Sequence, residues 1–190
     1  MVAAPRPYAA RLDIDYPEQL DRLTTLLRLI WIIPMLILLY ALGSISGVAT
    51  ALMIVFRRRY PRWWFDFARE LVRFETRIGA YFALLTDQYP STVDEQSVHL
   101  EVDYPDVEAD LNRWLPLVKW LLAIPHYVVL VVLAIIVLFA VIIAWFAILF
   151  TGRYPRGLFD FVVGFGRWAL RVQAYAFLLV TDRYPPFSMN

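Results

Sequence analysis

The sequence predicts a mainly α-helical membrane protein. It reads as a tandem repeat of a strand, a long hydrophobic helical segment (a hairpin or a kinked span) and an amphipathic arginine-bearing helix, with the strands in a small β-sheet on one membrane face. Four observations carry this expectation. The stretch from Tyr60 to Tyr81 recurs with identical spacing as Tyr154 to Tyr175: Tyr60-Pro61-Arg62, Phe65-Asp66-Phe67, Arg73, Arg77 and Tyr81 return as Tyr154-Pro155-Arg156, Phe159-Asp160-Phe161, Arg167, Arg171 and Tyr175. Of the 190 residues, 61% are hydrophobic and 18% charged, more apolar than an ordinary soluble domain. The apolar residues concentrate in 26–56 and 114–150, each longer than the roughly 20 residues that cross a bilayer core. Finally, Leu12-Asp13-Ile14-Asp15-Tyr16-Pro17 reappears ahead of the second run as Leu100-Glu101-Val102-Asp103-Tyr104-Pro105. Self-similarity of this kind is read before anything else. It divides the chain into a first repeat over 8–90, a linker over 91–97 and a second repeat over 98–187.

In chain order, Leu12 and Ile14 alternate with Arg11, Asp13 and Asp15 before Pro17 removes a ladder donor, the pattern of a short half-buried strand. Val98 to Tyr104 repeats it, and two strands of one pattern are natural partners. The acidic turns Pro17-Glu18-Gln19-Leu20-Asp21 and Pro105-Asp106-Val107-Glu108 suit the positive end of a following helix. In the first apolar run Pro34 predicts a kink, and Gly43-Ser44-Ile45-Ser46-Gly47 predicts a turn or a close helix contact near its middle. The second run has Pro116 and Pro125 near its start and no turn signal from Val128 to Phe150.

The third element of each copy predicts a helix, over Trp63 to Leu85 and over Leu158 to Val180. At 100° per residue, Arg73 and Arg77 fall within about 20° of Asp66 and Tyr81 within about 60° of it. Arg62, Arg69 and Glu70 join that arc and Glu75 stands opposite. Three arginines and two glutamates near the middle of the first copy would cost on the order of 2.5 to 3.5 kcal/mol each in lipid, against roughly 0.3 to 0.6 recovered per large aliphatic residue. That helix is therefore expected to lie in the interface with its polar arc solvated. Trp63, Trp64, Phe67, Phe74 and Phe82 would then face lipid or core. The copy with Arg167, Arg171 and Gln173 is near balance.

A flat third element makes each apolar run a shallow hairpin and puts both strands on the cytoplasmic side. The alternative, two crossings per repeat, puts the strands outside. Either way Arg57-Arg58-Arg59-Tyr60-Pro61-Arg62 and Arg153-Tyr154-Pro155-Arg156 fall in the cytoplasm by the positive-inside rule. The hairpin arrangement is the favoured expectation, in a plasma (inner) membrane. Lys119 is the only lysine among the basic residues, a usage consistent with GC-rich coding of actinobacterial type.

Phe150-Thr151-Gly152-Arg153-Tyr154-Pro155-Arg156-Gly157-Leu158-Phe159-Asp160-Phe161 and Thr181-Asp182-Arg183-Tyr184-Pro185-Pro186-Phe187 resemble the bacterial membrane-protein family catalogued as domain of unknown function 4389. The resemblance covers nearly the whole chain as two copies. In the first copy Arg57-Arg58-Arg59 stands where that motif has Thr-Gly, and Ser91 follows Pro90. The resemblance implies a membrane location and assigns no activity.

The chain carries no cysteine, no Gly-rich phosphate loop, no metal-spaced cluster and no serine in a nucleophile context. No catalytic residue, cofactor or metal is therefore expected. His99 and His126 read as incidental, and Asp13, Asp15, Glu101 and Asp103 as the wet face of two strands rather than an oxygen cage. A net charge of +1 gives no field to gather nucleic acid. The candidate structural or lipid-headgroup contacts are Arg62, Asp66, Arg73, Arg77, Tyr81, Arg153, Arg156, Asp160, Arg167, Arg171 and Tyr175. The expected function is that of a non-catalytic integral membrane accessory or scaffold protein. Its expected partners are membrane lipids and either other membrane proteins or further copies of itself. A membrane-shaping or anionic-lipid-binding protein is the first alternative, and a small transporter or channel subunit the second.

Overall fold

A computed structural model describes residues 7–43 and 46–190. Strand β1 (Ala10–Ile14) pairs antiparallel with β2 (Val98–Val102), with Leu12 opposite Leu100 and Asp13 opposite His99. The period-two pattern has its expected consequence. Ala10, Leu12, Ile14, Val98, Leu100 and Val102 are buried on one face, while Asp13, Asp15, His99 and Glu101 stand on the other.

The first apolar run forms α1 (Arg22–Trp31), α2 (Ile33–Gly43) and α3 (Ser46–Arg57). Asp21 caps α1, its carboxylate accepting from the Thr24 amide at 2.8 Å. The break between α1 and α2 falls at Ile32, two residues before Pro34, whose ring excludes a continuous helix. The expected turn at 43–47 falls between α2 and α3, where Ser44 and Ile45 lie outside the described residues.

Helix α4 (Arg62–Phe82) follows the Tyr60-Pro61 turn. After β2 come α5 (Val107–Asp110), a 3-10 turn over Leu115–Leu117, α6 (Lys119–Leu122), α7 (Ile124–Thr151) and α8 (Arg156–Ala176). The second apolar run is not a hairpin. From Ile124 to Thr151 it is one unbroken helix of 28 residues, because its prolines sit at its start and nothing between Val128 and Phe150 turns the chain. Among the described residues, α7 is the one helix long and apolar enough to cross a membrane.

Both arginine helices stop earlier than predicted, at Phe82 and Ala176. Leu84 (φ 64°) and Leu179 (φ 59°) adopt the left-handed conformation there, and backbone bonds from Leu85 to Ala80 and from Val180 to Ala174 close the ends. The burial of both leucines offsets a conformation that costs roughly 1–2 kcal/mol per residue.

The elements stack in three layers: the sheet, then α4 and α8, then α1, α2 and α7. Each strand packs on the arginine helix of the other copy, β1 along α8 and β2 on α4. A methyl group added at Gly166 of α8 would meet the Leu12 side chain at 3.2 Å, which measures how closely β1 approaches. Helix α8 in turn runs back along α7. Phe159, Val162 and Val163 share a core with Ala140, Ala144 and Ile148, while Trp168, Val172 and Tyr175 pack with Tyr127, Leu130 and Leu133.

Candidate functional site

The repeated residues meet in three paired constellations. In the first, a cation from the start of each apolar run is driven into the core. Arg28 Nη1 donates to the carbonyls of Tyr81 (2.8 Å) and Thr86 (2.9 Å), and its Nη2 meets Asp87. Lys119 Nζ lies 2.7 Å from Asp182 and 2.8 Å from the Thr181 carbonyl. The Arg28 guanidinium covers the Tyr81 ring at 4.4 Å, and Lys119 approaches the Tyr175 ring at 5.2 Å. Each aspartate also accepts a backbone amide, from Asp21 and Asn112 respectively. Burial lowers the Lys119 pKa, with Asp182 opposing the shift.

The second constellation joins the copies. Tyr16, after β1, donates to the Tyr154 carbonyl, and Tyr104, after β2, donates to the Tyr60 carbonyl, both at 2.5 Å. Their rings meet Phe159 and Phe65 edge-on, with centroids 4.9 and 5.0 Å apart. Arg156 covers Tyr16 at 4.3 Å and Arg62 covers Tyr104 at 4.7 Å. Arg22 reaches the Phe150 carbonyl and Arg113 the Val55 carbonyl, so each copy also closes the last turn of the other's apolar run.

The third is the arginine stripe. Arg77 and Arg171 are buried rather than solvated. Arg77 Nη1 donates to the Ser91 carbonyl, and Arg171 donates to the carbonyls of Asn190 (2.7 Å) and Ser188. Burial lowers both pKa values, with Arg73 and Arg167 adding like-charge repulsion. The expected pairing of the stripe with Asp66 and Asp160 is not what forms. Asp66 takes Arg62 (3.4 Å) and Arg69 (3.5 Å), and Asp160 takes Arg156 at 3.7 Å. Arg73 binds Glu70 at 2.7 Å, whereas Arg167 crosses to β1, donating to the Leu12 carbonyl (2.9 Å) and to Asp13 (2.8 Å). The cause is local: Glu70 captures Arg73, while the corresponding Gly164 has no side chain to hold Arg167. A methyl group at Gly164 would stand 3.0 Å from Met189 of the folded-back C-terminal segment.

Of the remaining candidates, Tyr81 and Tyr175 are buried beneath their cations, and Arg153 is exposed beyond the end of α7. Phe74 is core, while Trp63, Phe67 and Phe82 are exposed. His99 pairs with Asp15 at 3.0 Å across the sheet, and buried His126 accepts from Trp168 Nε1 at 3.1 Å. The strand carboxylates are engaged by cations, Arg11 binding Glu101 and Asp103 at 3.1 and 2.8 Å. The buried cations Arg28 and Lys119 were not singled out as site residues. Their shared six-residue spacing to Pro34 and Pro125, together with the repeated Thr-Asp, was the available signal.

Several cavities flank these residues. One of about 910 Å³ is lined by Arg57, Arg58, Arg59, Trp63, Tyr104 and Asp106 among others. Another of about 460 Å³ lies between Arg73, Arg77 and the segment 92–96.

Fold and site together define a mainly helical protein with one long exposed apolar helix and a pair of arginine helices, each clasped by the other copy's strand. The chain belongs to the family described as Domain of unknown function (DUF4389), whose model matches residues 22–93 and 114–189, consistent with two tandem copies. Both strands fall outside the matched regions. No curated protein and no solved structure matches the chain.

Proposed function

We propose that this protein is a non-catalytic integral membrane protein of the plasma membrane, inserted from the cytoplasmic face into one leaflet, and that it serves as an accessory or scaffold subunit of a larger membrane complex. The observation that carries the reading is the order of the layers. Val128, Val132, Ile135, Phe139, Phe146 and Phe150 of α7 are exposed and fall on one arc at 100° per residue. The charged strand face, with Arg11, Asp13, Asp15, Glu101 and Asp103, lies on the far side of α8. Because α7, α8 and β1 run alongside one another, an upright α7 would draw that charged face through the acyl region, at about 2.5 kcal/mol or more per unmasked charge. Laid in the membrane plane, the same molecule buries the apolar arc and leaves the sheet in water. Leu23, Leu26, Ile30, Leu36 and Ile37 of α1 and α2 are exposed too and widen the inserted surface beyond what a monomeric soluble protein tolerates.

The scaffold role is supported by the employment of the repeated polar groups in holding each copy and joining the two, which leaves the outer sheet face and the arginine turns as contact surfaces for a protein partner or a second copy. The membrane-shaping reading draws support from the same geometry, since insertion into one leaflet expands it against the other. The transporter reading draws none: Arg28 and Lys119, the cations nearest the apolar runs, are tied to aspartates and carbonyls. Washing native membranes at alkaline pH and then extracting with detergent tests the proposal. The protein should stay with the membrane through the wash and leave it in detergent with a defined partner or as a homo-oligomer. Release by the wash alone would refute insertion, and a purely monomeric extract would refute the scaffold role.

A further inference from the structure

We infer that the cavity between the end of α3 and the segment after β2 holds the headgroup of a zwitterionic, amine-bearing phospholipid of the phosphatidylethanolamine class. The inference rests on the membrane-inserted reading and assigns that reading a specific lipid. Helix α3 ends at Arg57, and the next residue, Arg58, takes the left-handed conformation with φ 50°. At the corresponding end of α7 the same conformation is taken by Gly152, with φ 73°. The turn itself therefore asks for glycine, and the first copy accepts backbone strain to carry an arginine there. Strain retained where the other copy avoids it points to a role beyond folding.

The surroundings supply that role. Arg57, Arg58 and Arg59 are exposed, and none makes a side-chain hydrogen bond or ion pair among the described residues. They form one wall of a cavity of about 910 Å³, within the roughly 300–1,000 Å³ of small-molecule sites. The segment after β2 brings Asp106 and Glu108 to the same cavity, with Trp63 and Tyr104 also lining the space. Asp106 is partly committed to capping α5, accepting from the amides of Glu108 (3.1 Å) and Ala109 (3.2 Å), whereas Glu108 is exposed and unpaired.

A cavity lined by guanidinium groups, carboxylates and an aromatic ring matches a headgroup of both signs. The phosphate meets the arginines through charge-assisted hydrogen bonds, and the primary ammonium meets Glu108 and the exposed Trp63 ring. An anionic headgroup without an amine would leave the carboxylates facing its phosphate. The cavity also stands at the right height. Part of its lining is the end of α3, where Leu52 and Phe56 are exposed for acyl chains to follow, and part continues from the water-facing sheet.

The test uses the full-length protein, delipidated in detergent and offered equal amounts of phosphatidylethanolamine and phosphatidylglycerol, with bound lipid read by native mass spectrometry. The wild type should retain phosphatidylethanolamine preferentially. Arg58→Gly should lower that retention about tenfold, as loss of a charge-assisted contact implies, without lowering the unfolding temperature, because glycine relieves the turn. Glu108→Gln should shift the preference toward phosphatidylglycerol, and Glu18→Gln, exposed and outside the cavity, should change nothing. Equal or greater retention of phosphatidylglycerol by the wild type would overturn the inference, as would an Arg58→Gly variant that keeps its lipid. Displacement of the lipid by inorganic phosphate would also overturn it, by making the site one for a free anion. A protein that needs detergent for release from membranes yet retains no phosphatidylethanolamine refutes this assignment alone.

Discussion

Replacing Asp182 by asparagine should cost far more stability than its position near the chain end suggests. The Lys119 side chain has no exposed surface, and its charge is met by Asp182 at 2.7 Å and by one carbonyl. Removing one partner of a buried pair costs about 3–5 kcal/mol, and the lower figure applies because 22% of the Asp182 side chain is exposed. At about 3 kcal/mol, a protein of this length should lose roughly 6–12 °C of unfolding temperature, read by intrinsic fluorescence in detergent. Glu101→Gln is the control: its pair with Arg11 is exposed and should be worth about 1 kcal/mol or less. The deficit should also depend on pH. Burial lowers the Lys119 pKa in the folded state, so between that value and the ordinary lysine value the unfolded chain binds more protons and stability rises with pH. With Asp182 neutralised the pKa falls further, and the deficit of the variant relative to wild type should shrink as pH rises through the lowered value. Equal losses for Asp182→Asn and Glu101→Gln, or a deficit that grows with pH, would refute the reasoning.

Tyr16→Phe and Tyr104→Phe should each lose about 1 kcal/mol in thermal unfolding, and proteolysis should release β1 or β2 more readily, because each removes one hydrogen bond between the copies. Gly79→Ala should stabilise by about 0.5–1 kcal/mol, since a methyl group there meets nothing within 4 Å. Gly164→Ala should destabilise and expose the C-terminal segment to carboxypeptidase, since its methyl group would press on Met189. Burial pushes the Tyr60 hydroxyl up to about 12 from 10.0, with Thr50 opposing the shift. Its contribution to stability is present below about pH 10 and lost as pH climbs to about 12, and Tyr60→Phe should flatten that alkaline slope.

The strands and the arginine helices were legible because period-two and period-3.6 patterns survive in single copies and recur in both. Which helix each strand clasps was not legible. Leu12 and Leu100 carry the same side chain, so sequence cannot distinguish packing on the near copy from packing on the far one. The helix ends were missed because leucine does not announce a left-handed turn, and at Leu84 and Leu179 tertiary burial overrides the local preference. The residues of the stripe lie on α4 and α8, but the destinations of its arginines depend on single neighbours, such as Glu70 against Gly164. The hairpin expected in the second run failed for a simpler reason: from Val128 to Phe150 no residue breaks a helix, and the fold-back had rested on a flat third element and the return of both strands to one face.

The orientation of α7 carries the functional account, and depth measurement along it is the most direct test. The chain has no cysteine, so single cysteines at Val128, Phe139 and Phe150 can each carry a fluorophore in the otherwise unchanged protein. The three positions share one arc, and quenching by lipids spin-labelled at different acyl depths should place all three at the same shallow depth in one leaflet. An upright helix would separate Val128 from Phe150 by roughly 33 Å of axial rise. A steady passage from one headgroup layer through the bilayer centre to the other would contradict insertion in a single leaflet.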